Sequence, residues 1–211
     1  MNNMFCFGTS GGCLDAFYLL KEISNDEREI FFLSDQHIVG ENILGHKVVG
    51  SFEYASSSKT TGCQFIFQCG SVENHRTRHI WFRKAIESGM VPTTLISSQA
   101  YVHKTASIGR GSIIYPGVKI MTNVEIGENC IILPNTVVNH NVRVGDYSII
   151  NSACVLNGGV ELGHNCYVGS GSSFKENSRV MANTTIGMCS LVLNTLEITG
   201  LYFGSPAKLI R

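Results

Sequence analysis

The sequence has no excess of either charge. It contains 16 Lys and Arg and 16 Asp and Glu among 211 residues, which gives a formal net charge of zero at pH 7. Proteins that bind nucleic acid or anionic membranes usually carry a basic face, so this balance argues against both partners. The chain also lacks an apolar run near the length of a membrane span and a secretory signal pattern. We therefore expect a cytoplasmic protein without membrane insertion.

The cysteines lack the CxxC spacing that is typical of zinc and redox motifs. There are eight of them, and no two are separated by two residues. Cys130, Cys154 and Cys166 fall on the small-residue positions of the repeat described next. We interpret them as small, reduced core residues of a cytosolic protein.

A repeat with a period of six residues runs from Val102 to Ile198. Neither a helix nor a plain amphipathic strand has that period, which is typical of parallel β-helices. The apolar position of each hexad is occupied by Val102, Ile108, Ile114, Ile120, Ile126, Ile132, Val138, Val144, Ile150, Leu156, Leu162, Val168, Phe174, Val180, Ile186, Val192 and Ile198. Four residues later stands a mostly small side chain, as in Ala106, Ser112, Cys130, Thr136, Ser148, Cys154, Cys166, Ser172, Ser178, Thr184 and Ser190.

Each hexad is expected to form one short strand and one corner, so that three hexads complete a triangular coil. Residues eighteen apart then stack, and neighbouring coils supply the stability. An aliphatic-glycine pair recurs at this spacing in Ile108-Gly109, Ile126-Gly127, Val144-Gly145 and Leu162-Gly163. We expect these glycines at corners with unusual backbone angles. The register should end after Ile198, with residues 204–208 forming a turn before a basic tail.

Residues 1–96 predict a small α/β domain that begins like a Rossmann fold. An apolar strand at 4–7, a glycine turn, a helical pattern at 13–23 and a buried strand at 29–33 follow each other. Gly11 and Gly12 with Ser10 would let the backbone approach a phosphate at a helix N-terminus. Ser34 and Asp35 end the strand, where an acidic side chain commonly meets a ribose hydroxyl. Because the full GxGxxG is absent, a purely structural turn remains an equal alternative.

The rest of this domain is short. Strands are predicted at 47–50, 64–70 and 91–96 and a helix at 78–88, while most of 37–62 has no readable pattern. A domain of this size suits a mononucleotide or a nucleotide-sugar better than a dinucleotide. Residues 97–211 then form the β-helix domain.

One hexad of the repeat, residues 138–143, carries a histidine. His140 stands two residues past the apolar position, and the residue eighteen positions later is Gly158, so space is expected beside the ring. A neutral imidazole can take a proton from a nucleophile. The alternative is a surface histidine near turn glycines. His164 is twenty-four residues away and belongs to another corner, so we do not expect a shared metal site.

Several segments together resemble one family. GTSGG (8–12), Leu33-Ser34-Asp35, the hexad with His140, LNGGVELG (156–163) and GSPAK (204–208) occur in the order found in bacterial sugar acetyltransferases. These are typified by the sialic-acid O-acetyltransferase and the bacillosamine-pathway UDP-amino-sugar N-acetyltransferase. The resemblance covers nearly the whole chain. It implies a left-handed β-helix, a homotrimer with active sites between neighbouring β-helices, and acetyl-CoA lying along that cleft.

The resemblance also implies roles for individual residues. His140 matches the general base, and no metal is required. The coenzyme cleft would be lined by Ser170 and Met188, with Gly158 leaving room near the thioester. The nucleotide of the sugar would be held by Ser10, Gly11, Gly12, Ser34 and Asp35.

Two positions depart from the family pattern. Asn141 stands where an acidic residue often follows the histidine; an amide can orient the ring but cannot stabilise imidazolium by charge. Ile149 replaces a second histidine that contacts the coenzyme in some members. That contact is either absent here or made by another group.

We therefore expect N-acetylation of a nucleotide-linked 4-amino-4,6-dideoxy sugar in bacterial surface-glycan biosynthesis. O-acetylation of a sugar hydroxyl is the alternative reaction, and Asn141 mildly disfavours it because an alcohol needs its base more than an amine does. A non-catalytic nucleotide-sugar-binding trimer and a zinc-dependent hydratase, as in the γ-class carbonic anhydrases, are the other classes. The sugar, the nucleotide and the acetylated position stay open.

Overall fold

The chain divides into two units. The computed structural model describes residues 3–24, 28–70, 75 and 77–210. The first unit comprises Met1–Cys69 and Thr77–Leu95, and the second comprises Gly70–Arg76 and Ile96–Arg211. Gly70 and His75 thus group with the second unit, which the sequence pattern did not indicate. That the two parts have separate functions stays a prediction.

The first unit is built around a six-stranded, mostly parallel sheet. Its strands are β1 (Met4–Phe7), β2 (Ile30–Leu33), β3 (Asn42–Ile43), β4 (His46–Gly50), β5 (Gln64–Phe67) and β6 (Val91–Pro92). They lie in the order β3-β4-β2-β1-β5-β6; β3 runs antiparallel to β4, and the other neighbours are parallel. The unit also contains helices α1 (Gly11–Ile23) and α2 (Arg78–Glu87) and a 3₁₀ helix at Phe52–Ser56.

The unit begins with the expected strand, helix and strand. All four residues of β1 are buried, as is usual for a parallel strand covered on both faces. Helix α1 begins at Gly11, two residues before the predicted start. Residues 37–62, which have little sequence pattern, contain β3, β4 and the 3₁₀ helix.

The second unit is a parallel β-helix made of two-residue strands. After β7 (Leu95–Ile96), where the chain passes into this unit, the strands fall on three faces. The first face contains β8 (Tyr101–Val102), β11 (Lys119–Ile120), β14 (Val137–Val138), β17 (Val155–Leu156), β20 (Ser173–Phe174) and β23 (Leu191–Val192). The second contains β9 (Ser107–Ile108), β12 (Glu125–Ile126), β15 (Arg143–Val144), β18 (Glu161–Leu162) and β21 (Arg179–Val180). The third contains β10 (Ile113–Ile114), β13 (Ile131–Ile132), β16 (Ile149–Ile150), β19 (Tyr167–Val168) and β22 (Thr185–Ile186), then β24 (Leu201–Phe203) and β25 (Lys208–Leu209).

The apolar and small positions of the repeat both point into the coil. The second residue of each strand from β10 to β23 is buried, and so are the small residues from Ser112 to Ser190. Small polar side chains bind the turns together: Ser112 Oγ donates to the Gly127 carbonyl at 2.8 Å and accepts from the Cys130 N–H at 2.9 Å. The Cys154 thiol donates in the same way to the Gly169 carbonyl at 3.2 Å. Cys154 therefore takes the place that serine has elsewhere in this buried ladder of hydrogen bonds. Burial raises the pKa of its thiol to about 11.

The glycines that follow the aliphatic residues have a different cause from the one expected. Gly109, Gly127, Gly145 and Gly163 do not adopt left-handed angles. Instead, a Cβ at any of them would overlap the backbone or a corner side chain of the next coil, such as the N of His164 for Gly145. The left-handed angles fall two residues later, at Gly111, Asn129, Tyr147 and Asn165. The expectation of unusual angles at the aliphatic-glycine pairs was therefore wrong, and close stacking explains the glycines.

The repeat also ends earlier than expected. Ile198 is 61% exposed, whereas Leu196 is buried and pairs with Val180. The last hexad is thus two residues short, and the register ends after Val192. The chain nevertheless continues the third face with β24, which forms a hairpin with β25 around the turn at 204–207. Residues 204–208 therefore do not simply end the regular structure.

The stacking argument predicts a difference between two glycine substitutions. Gly145→Ala should lower the free energy of unfolding by about 1–3 kcal/mol, because its Cβ overlaps backbone atoms that cannot rotate away. Gly171→Asn should change it by about 0.5 kcal/mol or less, since Gly171 has φ +71 and a Cβ there has one near neighbour, Cys189 Sγ at 3.3 Å. Urea denaturation of the two variants measures both. Equal losses would contradict the account.

Candidate active site

His140 lies at the corner between β14 and β15, and its ring rests on the next coil. The side chain is exposed. A Cβ at Gly158 would lie 2.6 Å from its Nε2 and 3.0 Å from its Nδ1. Gly158 does not adopt left-handed backbone angles. Glycine is therefore required there to admit the imidazole, as its position in the repeat predicted.

Asn141 has two structural roles beside the histidine. Its φ of 59° places it at the left-handed position of the corner, which asparagine tolerates well. Its Nδ2 lies 3.2 Å from His140 Nδ1. Its Oδ1 accepts a hydrogen bond from Asn123 Nδ2, eighteen residues earlier, at 3.3 Å. An amide ladder thus holds the ring from its Nδ1 side.

This ladder favours one protonation pattern of the imidazole. Because Asn141 Oδ1 is engaged by Asn123, its Nδ2 faces His140 and Nδ1 accepts a hydrogen bond. In a neutral ring the proton then resides on Nε2. For Nε2 to act as a base, the Asn141 amide must turn so that its oxygen accepts from Nδ1–H. A carboxylate at position 141 would accept hydrogen bonds from Asn123 Nδ2 and from His140 Nδ1–H at the same time.

The residues predicted to line the coenzyme cleft lie at another corner. Ser170 and Met188 are stacked on successive coils, joined by a 2.9 Å hydrogen bond from the N–H of Cys189 to the carbonyl of Ser170. Met188 is 65% exposed. Their corner precedes the first face, and the corner of His140 follows it, so the two groups stand at opposite edges of one face. A single chain does not bring them together.

Ile149 does not offer a surface to a coenzyme. It is the outward residue of β16, yet it is only 3% exposed. It stacks between Ile131 and Tyr167, and the Tyr167 ring lies 5.4 Å from the ring of buried His75. This burial favours the expectation that the coenzyme contact of the family's second histidine is absent here or made by another group, and a role of Ile149 toward the coenzyme stays a prediction. The contact with His75 could not be anticipated, since no repeat spacing relates it to Tyr167.

The outward residues of the second face form a ladder of alternating charge. Arg143 lies 3.6 Å from Glu125 and 3.7 Å from Glu161, which is 3.3 Å from Arg179. A groove of about 830 Å³ runs along this face, and none of the predicted site residues lines it. The eighteen-residue spacing of these charges is visible in the sequence but was missed. Exposed pairs of this kind contribute little stability each, so we interpret the ladder as a solvated face.

In the first unit, the glycine turn and the end of β2 lie side by side. Phe7 pairs with Leu33, so the residues after each strand meet at one edge of the sheet. Thr9 Oγ1 lies 3.3 Å from the buried Ser34 Oγ, which accepts from the Gln36 N–H at 3.2 Å. Asp35 is exposed. Its Oδ1 accepts from the Phe52 N–H at 3.0 Å, which anchors the 3₁₀ helix.

The start of α1 is open to an anion. Ser10 is the N-cap residue, and the first turn carries no acidic side chain. A Cβ at Gly11 would have no atom within 4 Å. The N–H groups of a first helical turn have no partner within the helix, and the helix dipole favours negative charge there. Through the contact of Thr9 with Ser34, the structure brings the turn that leads into Ser10, Gly11 and Gly12 beside the end of β2. That these residues bind a nucleotide stays a prediction.

Within the part of the chain that the structure describes, no group of three or more His, Cys, Asp or Glu side chains is arranged to hold a metal ion. His140 and His164 lie at different corners of the coil, as expected from their spacing. The helices among residues 3–24, 28–70 and 77–210 are too short or too polar to cross a membrane.

The repeat matches a known family model. The model for the bacterial transferase hexapeptide, which comprises six repeats, matches residues 105–140 and 123–158. The matched residues, 105–158, lie within the second unit. The β-helix is therefore of the left-handed kind, as predicted.

Solved structures share the fold of nearly the whole chain. One is a histidine-to-alanine mutant of GDP-perosamine N-acetyl transferase from Caulobacter crescentus, in complex with CoA and GDP-perosamine, with 23% identity, a TM-score of 0.88 and coverage of 99% of this chain and 97% of that one. Another is the acetyltransferase domain of PglB from Neisseria gonorrhoeae in complex with acetyl coenzyme A, with 21% identity, a TM-score of 0.86 and 99% coverage of both. WeeI from Acinetobacter baumannii has 19% identity, a TM-score of 0.86 and 99% coverage of both. A search of curated protein sequences gave no match.

The contact between His140 and Gly158 can be tested by a double-mutant cycle. Gly158→Ala should displace the imidazole and lower the free energy of unfolding, because the new Cβ overlaps the ring. In a His140→Ala background the same substitution should cost at least about 1 kcal/mol less, since the ring is gone. Denaturation gives the energies, and the NMR signal of the His140 Cε1 proton reports the displacement. Equal losses in both backgrounds would contradict the contact.

Proposed function

We propose that this protein is an acetyl-CoA-dependent N-acetyltransferase that acts on the amino group of a nucleotide-linked 4-amino-4,6-dideoxy sugar for bacterial surface glycans. The observation that carries the proposal is the exposed imidazole of His140, seated on Gly158 at a corner of a hexapeptide-repeat β-helix. The fold likeness to an N-acetyltransferase that binds CoA and GDP-perosamine supports this class of reaction.

The first unit is the nucleotide-binding domain in this proposal, and it belongs to the Rossmann-like class. Its parallel strands β1, β2 and β5 place the glycine turn beside Ser34 and Asp35. The α1 N-terminus would receive a phosphate through the N–H groups of Gly11 and Gly12. Asp35 would accept a hydrogen bond from a ribose hydroxyl with the carboxylate oxygen that does not bind Phe52.

The active protein is a homotrimer in this proposal. His140 and the pair Ser170 and Met188 occupy opposite edges of the first face, so one chain lacks a complete cleft. The outward side chains of this face include Val137, Val155 and Leu191, which are only partly buried within one chain. Packing this apolar strip against a neighbour would bring the Ser170 and Met188 corner of one subunit to the His140 corner of the next. The acetyl-CoA would lie between them.

The reaction is a direct acyl transfer. The sugar amine attacks the thioester carbonyl, and His140 Nε2 takes the proton that the nitrogen loses. A backbone N–H at the cleft stabilises the tetrahedral oxyanion, which collapses to the amide and releases the coenzyme A thiolate. Because Asn141 Nδ2 faces His140 Nδ1, the amide must turn before Nε2 can accept a proton. An amine demands less of such a base than an alcohol does, and this supports N- over O-acetylation.

A thiol-release assay tests the reaction class. Acetyl-CoA is offered with a panel of UDP-, dTDP- and GDP-linked 4-amino and 4-hydroxy sugars, beginning with GDP-perosamine. We expect thiol release with one or more 4-amino sugars. Turnover confined to 4-hydroxy sugars would replace the proposal by O-acetylation, and nucleotide-sugar binding without coenzyme A binding would indicate a non-catalytic trimer.

The general-base role predicts a specific loss of activity. His140→Ala should reduce kcat by about 10²–10⁴-fold, the usual contribution of a positioned acid or base. His164→Ala is the matched control, because it removes an exposed histidine from another corner of the same β-helix. It should leave kcat unchanged. Full turnover by a folded His140→Ala trimer would exclude the role.

The amide ladder predicts a gain of activity from one substitution. Asn141→Asp should raise kcat, because a carboxylate accepts from Asn123 and from His140 Nδ1–H together and stabilises imidazolium by charge. Aspartate also tolerates the left-handed backbone of this corner. Steady-state kinetics on the best substrate of the panel measures the effect. A fall in kcat, with the fold intact, would show that His140 does not depend on this partner.

A further inference from the structure

Two cysteines of the first unit have their sulfur atoms in contact. Cys13 lies in the first turn of α1 and Cys69 follows β5, and their Sγ atoms are 3.8 Å apart. Gly8, with φ +87, lies against both; a Cβ there would overlap Cys13 Sγ and lie 2.8 Å from Cys69 Sγ. Glycine at this position therefore leaves room for the pair.

The sheet topology creates this contact. Strands β1 and β5 are adjacent and parallel, with Phe7 paired to Phe67, so the turn that leads from β1 into α1 meets the residues after β5. Both thiols are held in place by backbone carbonyls. Cys13 Sγ donates to the Gln68 carbonyl at 3.2 Å, and Cys69 Sγ donates to the Phe7 carbonyl at 3.2 Å. The pair is therefore oriented rather than mobile.

Cys13 differs chemically from the other buried thiols, its partner included, because the hydrogen bond to Cys13 and burial raise the pKa of Cys69 well above its usual value. The single proton of the Cys69 thiol can turn from the Phe7 carbonyl to the Cys13 sulfur, and this hydrogen bond, assisted by those from Ser10, lowers the pKa of the Cys13 thiol to about 7 although burial opposes this. Burial raises the pKa of Cys6, and it raises the pKa of Cys166 to about 11. Since the thiolate is the reactive form, Cys13 is the nucleophile of this group. Cys69 is only partly buried and gives a small oxidant access to the pair.

We propose that Cys13 and Cys69 form a reversible disulfide when a hydroperoxide oxidises the pair. The Cys13 thiolate attacks the terminal peroxide oxygen, and the O–O bond breaks to give a sulfenic acid and water or an alcohol. The Cys69 sulfur then attacks the Cys13 sulfur, the S–O bond breaks, and water leaves. The two sulfurs give up two electrons to the peroxide, and a dithiol restores the pair by exchange. The sulfurs approach from 3.8 Å to about 2.05 Å.

This reaction would alter the start of α1. Ser10 Oγ lies 3.3 Å from Cys13 Sγ, and that hydrogen bond is lost when the sulfur moves toward Cys69. Gly11 and Gly12 are the intervening residues. If these residues bind the nucleotide, which rests on the proposed function, the disulfide weakens nucleotide binding by shifting the first turn. The disulfide itself does not depend on that assumption.

Peptide mass mapping after peroxide treatment tests the modification. The parent protein of this experiment is the Cys189→Asn variant. The substitution removes the exposed cysteine and introduces asparagine, the residue found at other left-handed corners. We expect loss of two hydrogen atoms from the intact mass, a Cys13–Cys69 linked peptide, and reversal by dithiothreitol. In Cys69→Ser the sulfenic acid at Cys13 should be trapped by dimedone, and in Cys13→Ser neither product should form. A Cys69→Ser protein whose Cys13 does not react, or oxidation elsewhere with this pair still reduced, overturns the proposal.

A second measurement tests the consequence for binding. The affinity for the nucleotide found with the sugar panel is measured by calorimetry before and after oxidation, with Cys69→Ser treated identically as the control. We expect oxidation to weaken binding by about threefold or more in the parent protein and to leave the control unchanged. Equal nucleotide affinities before and after oxidation would overturn the regulatory role, but they would not contradict formation of the disulfide. Absence of nucleotide binding in both redox states would count against the proposed function instead.

Discussion

The spacing between successive coils of the β-helix constrains almost every residue of the second unit. Each residue stacks on the one eighteen positions later, and backbone hydrogen bonds such as Gly145 N–H to the Leu162 carbonyl, at 2.8 Å, hold adjacent coils together. Strands joined in this way lie about 4.8 Å apart, which leaves no room for a side chain where a corner leans on its neighbour. Glycine at 109, 127, 145 and 163 meets this constraint.

The candidate active site results from the same constraint. The ring of His140 can lie against the next coil because the residue stacked on it is Gly158. The corner geometry also sets the partner of the ring, since the position after the histidine needs a left-handed backbone and asparagine adopts it readily. Asn141 therefore both adopts the left-handed backbone of the corner and contacts the imidazole. The Asn141 amide also accepts a hydrogen bond from Asn123, so the residue one coil earlier helps to set the orientation of the His140 ring.

The first unit contributes groups of a different kind. Its parallel strands end at a common edge, where the glycine turn, Ser34 and the Cys13–Cys69 pair are gathered. In the proposed function this edge holds the nucleotide, while the corners of the β-helix hold the acyl donor and the base. Binding and chemistry are then carried by two units with separate cores, so the disulfide that we propose in the first unit would affect nucleotide recognition without touching the reacting groups.

The sequence by itself determined the fold of the second unit and the stacking of Gly158 on His140, because a strict six-residue period admits one arrangement of short strands. Contacts that do not follow this period were decided by the tertiary structure. Three contacts join residues whose spacing carries no pattern: Tyr167 with His75, Leu196 with Val180 where Ile198 was expected, and Cys13 with Cys69. Repetition makes local geometry predictable, whereas contacts between distant, non-repeating segments depend on how the whole chain packs.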